Sequence, residues 1–183
     1  HDFCSTDAAA NLFADLGGTP DAGGTWSGPS ALAGGDLGTF DPATNTAGTY
    51  TYTVAGTACP NATADVVVTI ETAPDAGTAG AVTYCDAGPG GDLFGELGGT
   101  PSGGGSWSPA MTSGTGVFDP TSDAAGTYTY TVNGTVCANA TADVVVSFET
   151  SPDAGSAGAD GPQPREAGRS HRRTEGAGRS ATG

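Results

Sequence analysis

The sequence predicts an all-β chain made of two like β-sandwich domains, and three observations carry that expectation. The chain repeats itself: Trp26 maps onto Trp107 at an offset of 81 residues and Tyr50 onto Tyr128 at an offset of 78, so the copies differ by one three-residue deletion after the Trp. Its composition, Gly 32 and Pro 12 in 183 residues with Thr and Ala throughout, excludes a helical bundle and favours short strands joined by tight turns. Its apolar residues alternate with polar ones in the stretches between those turns, the period of a half-buried strand. A period of about 80 residues suits a small domain with its own core rather than a solenoid unit that folds only against its neighbours. The expected boundaries are residues 1–73 for the first domain and 74–151 for the second with its leading linker. A trailing linker and Arg-rich tail follow over 152–183.

Within one repeat, Leu12, Phe13 and Leu16 supply core near the start. Trp26, in GGTWS, sits on a short strand entered through a Gly turn, and Gly38-Thr39-Phe40 forms another that stops at Asp41-Pro42. Thr49 to Val54 alternates Thr with large apolar residues, placing Tyr50, Tyr52 and Val54 on the core face, and Ala55-Gly56 ends it. Ala62 to Glu71 follows, with Ala64, Val66, Val68 and Ile70 on one face and Thr63, Asp65, Thr69 and Glu71 on the other. The last two strands make a hairpin. Five to seven short strands in so few residues point to two packed sheets rather than a barrel.

Charge is the second strong signal. The chain has no Lys, its five Arg all follow residue 160, and 17 of its 20 acidic residues precede Asp160. Such a body repels nucleic acid and anionic membrane and strains against its own compact state unless counter-ions screen it, which suits a saline or divalent-rich exterior; the alternative is that the acidity only confers solubility. No segment approaches the roughly 18 apolar residues of a membrane helix, and no signal peptide opens the sequence, so a mature or excised piece is expected. Membrane insertion and nucleic acid binding are not expected.

The four cysteines fall in matched places, Cys4 with Cys85 and Cys59 with Cys137, and no C-x-x-C spacing suggests zinc. Repeat equivalence favours one bond per domain, Cys4 to Cys59 and Cys85 to Cys137, closing loops that would each contribute on the order of 4 kcal/mol in an oxidising compartment.

Thr46-Ala47-Gly48-Thr49-Tyr50 resembles the turn into strand F of immunoglobulin-like domains, in which a Tyr folds back onto the turn backbone. The resemblance implies tyrosine corners at Tyr50 and Tyr128 and core positions for Trp26 and Trp107. From the Cys through D-L-F-x-x-L-G-G-T-P, G-G-x-W, F-D-P and A-G-T-Y-T-Y-T-V to P-D-A-G, each repeat is similar to the modules of large surface proteins of Bacteroidota and relatives. Such modules often precede gliding-motility or type IX secretion signals. That resemblance covers residues 1–159 and implies display outside the cell. The chain departs from the antibody pattern at Tyr52 and Tyr130, where an inter-sheet Cys would stand.

Catalytic signals are absent: both histidines, His1 and His171, lie outside the repeated segments, so neither Ser-His-Asp nor Cys-His arrangements can form inside them. Asp65 and Glu71 share an outer strand face and read as solvated. Asp41 with Asn45 and Asp119 with Asp123 place oxygens four residues apart on a turn, which admits either calcium or Asx capping, so the expected cofactor is none or calcium. Asn61, Asn133 and Asn139 match the N-glycosylation pattern. The lead-in PDAGTAGA before the second repeat returns as PDAGSAGA after it, whereas the first repeat begins abruptly at His1. A sandwich short of an edge strand invites strand addition, so Pro152, Asp153, Ala154 and Gly155 are assembly candidates. The expected function is a non-enzymatic extracellular structural module of a stalk, adhesin or head-to-tail filament. The alternative is a glycan- or protein-binding module accessory to a secreted enzyme, using Trp26 or Trp107.

Added salt raises the melting temperature by relieving repulsion, with Ca²⁺ outdoing Mg²⁺ only if the Asp41 and Asp119 turns bind it. A melting temperature equal at low and high salt contradicts the self-repulsion.

Overall fold

The computed structural model describes residues 1–155. They fall in two units, His1–Ser151 and the start of Pro152–Gly183. The Arg-rich tail expected over 160–183 lies outside the described residues.

The chain is all-β. The first repeat contains β1 (Asp2–Cys4), β2 (Ala10–Asn11), β3 (Thr25–Ser27), β4 (Thr39–Phe40), β5 (Gly48–Val54) and β6 (Ala62–Glu71). The second repeats the series as β7 (Gly80–Cys85), β8 (Gly91–Asp92), β9 (Ser106–Ser108), β10 (Val117–Phe118), β11 (Gly126–Val132) and β12 (Ala140–Glu149). Four strands form one sheet of each repeat, in the orders β1-β6-β5-β3 and β7-β12-β11-β9, and the pairs β2-β4 and β8-β10 form the other. Two cores sharing no residue result. One gathers Phe3, Leu12, Phe40, Tyr50, Val66 and Val68, and the other includes Leu93, Met111, Phe118, Tyr128, Tyr130 and Val144.

The long hairpins follow from alternation. In β5 against β6, Tyr50 lies opposite Val66 and Tyr52 opposite Ala64, and the same register returns as Tyr128 opposite Val144 and Tyr130 opposite Ala142. On the outer face Thr51 donates to Asp65 and Thr129 to Asp143, both at 2.7 Å, so polar side chains pair across the strands where water reaches them. The very short strands are fixed instead by aromatic packing: Phe40 stands edge-on to Tyr50, as Phe118 does to Tyr128. Leu12 is buried at the head of a 3₁₀ turn over Leu12–Asp15.

The first strand of each repeat runs parallel to the last. Cys4 lies beside Glu71 and Cys85 beside Glu149. The missing edge strand expected in the first repeat is therefore present but short: β1 pairs along Thr69–Glu71, whereas β7 pairs along the whole of Val144–Glu149.

Tyr50 and Tyr128 each donate to a carbonyl four residues upstream, Tyr50 to Thr46 at 2.7 Å and Tyr128 to Ala124 at 2.8 Å. Ser30 adds a second bond to the Tyr50 hydroxyl at 2.6 Å, and its own oxygen accepts from Asn45 Nδ2 and the Thr46 N–H. Removing a buried partner costs about 1–2 kcal/mol. Tyr50→Phe, which breaks two bonds, should therefore destabilise the chain more than Tyr128→Phe, which breaks one. Equal denaturant midpoints for the two variants would contradict the Ser30 network.

Candidate functional site

A disulfide and a cluster of hydrogen bonds lie where the first repeat meets the second. Cys4, at the end of β1, and Cys137, in the loop between β11 and β12, form a disulfide across 133 residues with their Cα atoms 4.8 Å apart. Both are buried, at 4% and 7% exposure, whereas their repeat counterparts Cys85 and Cys59 are free and exposed.

This corrects the expected pairings of Cys4 with Cys59 and Cys85 with Cys137, and the reason is the parallel first strand. Register places Cys4 at the Glu71 end of β6, and Cys59 precedes the Ala62 end. Ten residues of strand separate those ends by about 30 Å, far beyond the ~7 Å that a disulfide spans. Cys85 and Cys137 are kept apart by β12 in the same way.

Beside the disulfide, the Glu71 carboxylate receives the N–H groups of Thr135 at 2.9 Å, Val136 at 2.5 Å and Cys137 at 2.6 Å, and the Thr135 hydroxyl at 3.0 Å. These donors, Cys137 N–H foremost, hold its carboxyl down to about 2 from an ordinary 4.5. Glu71, read from the sequence as a solvated outer-face carboxylate, instead seats one repeat on the loop of the other. Only its position at a strand end, one residue before the linker, hinted at this.

The linker completes the joint. Asp75 Oδ1 accepts the Gly77 N–H at 2.7 Å, in a turn that needs the left-handed φ of +80° at Gly77. Asp75 O accepts from Ser102 N–H at 2.7 Å, and Ala76, 2% exposed, joins the second core with Leu97, Val132 and Ala142.

Trp26 is half-buried against Tyr52, its indole N–H donating to Asp36 O at 2.9 Å from a 3₁₀ turn over Gly35–Leu37. The second repeat has the shorter loop, and there Trp107, packed on Tyr130, borders a cavity of about 500 Å³ with Asp92, Met111 and Gly116. Asn45 Oδ1 accepts the Asp41 N–H at 2.8 Å, and Asp41 Oδ1 that of Ala43 at 3.0 Å. Asp123 takes the N–H and hydroxyl of Thr112 and the N–H of Asp119, while Asp119 takes those of Thr121. Burial pushes the Asp123 carboxyl up, and hydrogen bonds from Thr112 and Asp119 outweigh it, leaving it below the usual range. The oxygens proposed for calcium thus face donors, and among the described residues no group of three His, Cys, Asp or Glu side chains is placed to hold a metal. Asn61, Asn133 and Asn139 are exposed, with Asn61 and Asn139 bracing their loops by accepting the Gly56 and Gly134 N–H groups at 3.1 Å. Pro152–Gly155 is exposed and repeats the linker turn, Asp153 Oδ1 accepting the Gly155 N–H at 2.7 Å. No helix among the described residues is long and apolar enough to cross a membrane.

No family model matches the chain, and no curated protein matches it.

Because the Glu71 carboxyl titrates lower in the folded chain, its contribution is complete above pH 4.5 and is lost as pH falls through about 2. Glu71→Gln should lower the melting temperature at neutral pH, and the gap to the unaltered chain should close as the pH approaches 2. A gap independent of pH would show that the carboxylate charge plays no part in the joint.

Proposed function

We propose that this chain is a non-enzymatic, extracellular structural module, two tandem immunoglobulin-like sandwiches that act as a stiff spacer in a surface stalk, adhesin or head-to-tail array. The observation that carries the reading is the joint: a disulfide, a multiply bonded carboxylate and a buried linker Ala all hold one repeat on the next. A spacer depends on a fixed angle between its modules, which these contacts supply. The tyrosine-corner geometry at Tyr50 and Tyr128 supports the immunoglobulin-like assignment, and the disulfide supports an oxidising exterior. The acidic body fits a setting where counter-ions are plentiful.

Small-angle scattering tests the spacer. The unaltered chain should give a narrow distance distribution, and Cys4→Ser with Cys137→Ser a broader one at unchanged strand content. Equally broad profiles for both would refute the locked joint.

The cavity beside Trp107 supports a second reading, a glycan platform in the second repeat. Glycan binding that is abolished by Trp107→Ala and untouched by Trp26→Ala would favour it over the spacer.

A further inference from the structure

Each half of the joint that Cys4 and Cys137 occupy exists a second time in the chain, without its partner. Cys85 stands beside Glu149 as Cys4 stands beside Glu71. The Asp86 N–H donates to Glu149 O at 3.0 Å, as Ser5 N–H donates to Glu71 O at 2.8 Å. The Asp86 side chain accepts the Ser151 N–H at 3.0 Å, as the Ser5 hydroxyl accepts that of Ala73 at 3.0 Å. The donor half is therefore built at the end of β12 to the same plan.

The receiving half is duplicated on the first repeat. The loop carrying Thr57, Ala58 and Cys59 is braced by the Asn61 to Gly56 bond just as the loop carrying Thr135, Val136 and Cys137 is braced by Asn139 to Gly134, both at 3.1 Å. All three residues are exposed, and among the described residues their N–H groups have no acceptor. The seat for the linker is open as well. A groove of about 260 Å³ is lined by Gly17, Pro20, Asp21, Tyr52, Val54 and Ala64. By repeat position these match the residues around Ala76: Gly98 and Pro101 at the turn, Ser102, and the buried Tyr130, Val132 and Ala142. Ala154, the counterpart of Ala76, is exposed.

We propose that a second copy of this chain docks here: Cys85, Glu149 and Pro152–Gly155 of one molecule engage Cys59, the Thr57–Cys59 amides and the Tyr52–Ala64 groove of the next. The contact reproduces the internal joint part for part. It joins two different surfaces, so it runs head to tail through successive copies instead of closing into a two-fold dimer. This deepens the structural reading above and rests on it for the oxidising setting. The covalent step uses a small disulfide such as oxidised glutathione. The Cys85 thiolate attacks it and releases one glutathione thiolate, and the Cys59 thiolate then displaces the second. The balance is two protein thiols and one oxidised glutathione giving one Cys85–Cys59 bond and two reduced glutathiones.

The test is incubation of the whole chain at high salt in a glutathione redox buffer, followed by non-reducing electrophoresis and peptide mapping. A ladder is expected whose links are Cys85 to Cys59. Cys59→Ser alone and Cys85→Ser alone should stop at monomer, and their mixture should stop at dimer. Ala154→Arg, exposed and thus harmless to the fold, should slow the ladder about tenfold at an unchanged melting temperature. Homotypic Cys59 or Cys85 links as frequent as heterotypic ones would mark random oxidation of exposed thiols and overturn the proposal, as would a ladder rate unaffected by Ala154→Arg. A chain that stays monomeric overturns it too, while the narrow scattering profile of the internal joint would leave the spacer reading standing.

Discussion

The parallel pairing of the first strand with the end of the last strand governs the rest of the structure. It decides which end of the sheet Cys4 occupies, sets it beside Glu71, and leaves it out of reach of the cysteine in its own repeat. A bond to the neighbouring repeat is what remains. Covering that contact buries both sulfurs, and the same loop then offers three amides to one carboxylate. By the chain-entropy relation a cross-link over 133 residues stabilises by about 5 kcal/mol. Small Gly-rich β units have modest cores, so a cross-link of that size is a large share of what holds the two repeats as one unit.

Much of the fold was legible in the residues. The β5 and β6 hairpin, its core face and its end at Glu71 follow from alternation, and the turns follow from Gly and Pro. The two-residue strands β2 and β4 were only half visible. Phe40 marked β4 through the Asp41-Pro42 stop, but Ala10–Asn11 carries no pattern, because its pairing is imposed by the packing of Leu12 and Phe40. The parallel strand β1 was hidden for another reason, since three residues are too few to show a period.

The site was less legible. Repeat equivalence is satisfied equally by bonding each repeat to itself and by bonding each to the next, so matched cysteine positions could not choose between the schemes. Strand length could have, once the first strand was known to run alongside the last. Glu71 was misread because even spacing from Asp65 reports only the face of a strand, and the acceptor role arises from a loop more than sixty residues away. The Asp41–Asn45 and Asp119–Asp123 pairs lie on turns, where their oxygens brace backbone amides.

Peptide mapping of the non-reduced, alkylated chain is the most direct test of the parallel pairing. It should recover one disulfide-linked pair containing Cys4 and Cys137, with Cys59 and Cys85 alkylated in the monomer. Recovery of Cys4 linked to Cys59, or of Cys85 linked to Cys137, would contradict it, because neither bond can form while β1 runs parallel to the end of β6 and β7 to the end of β12.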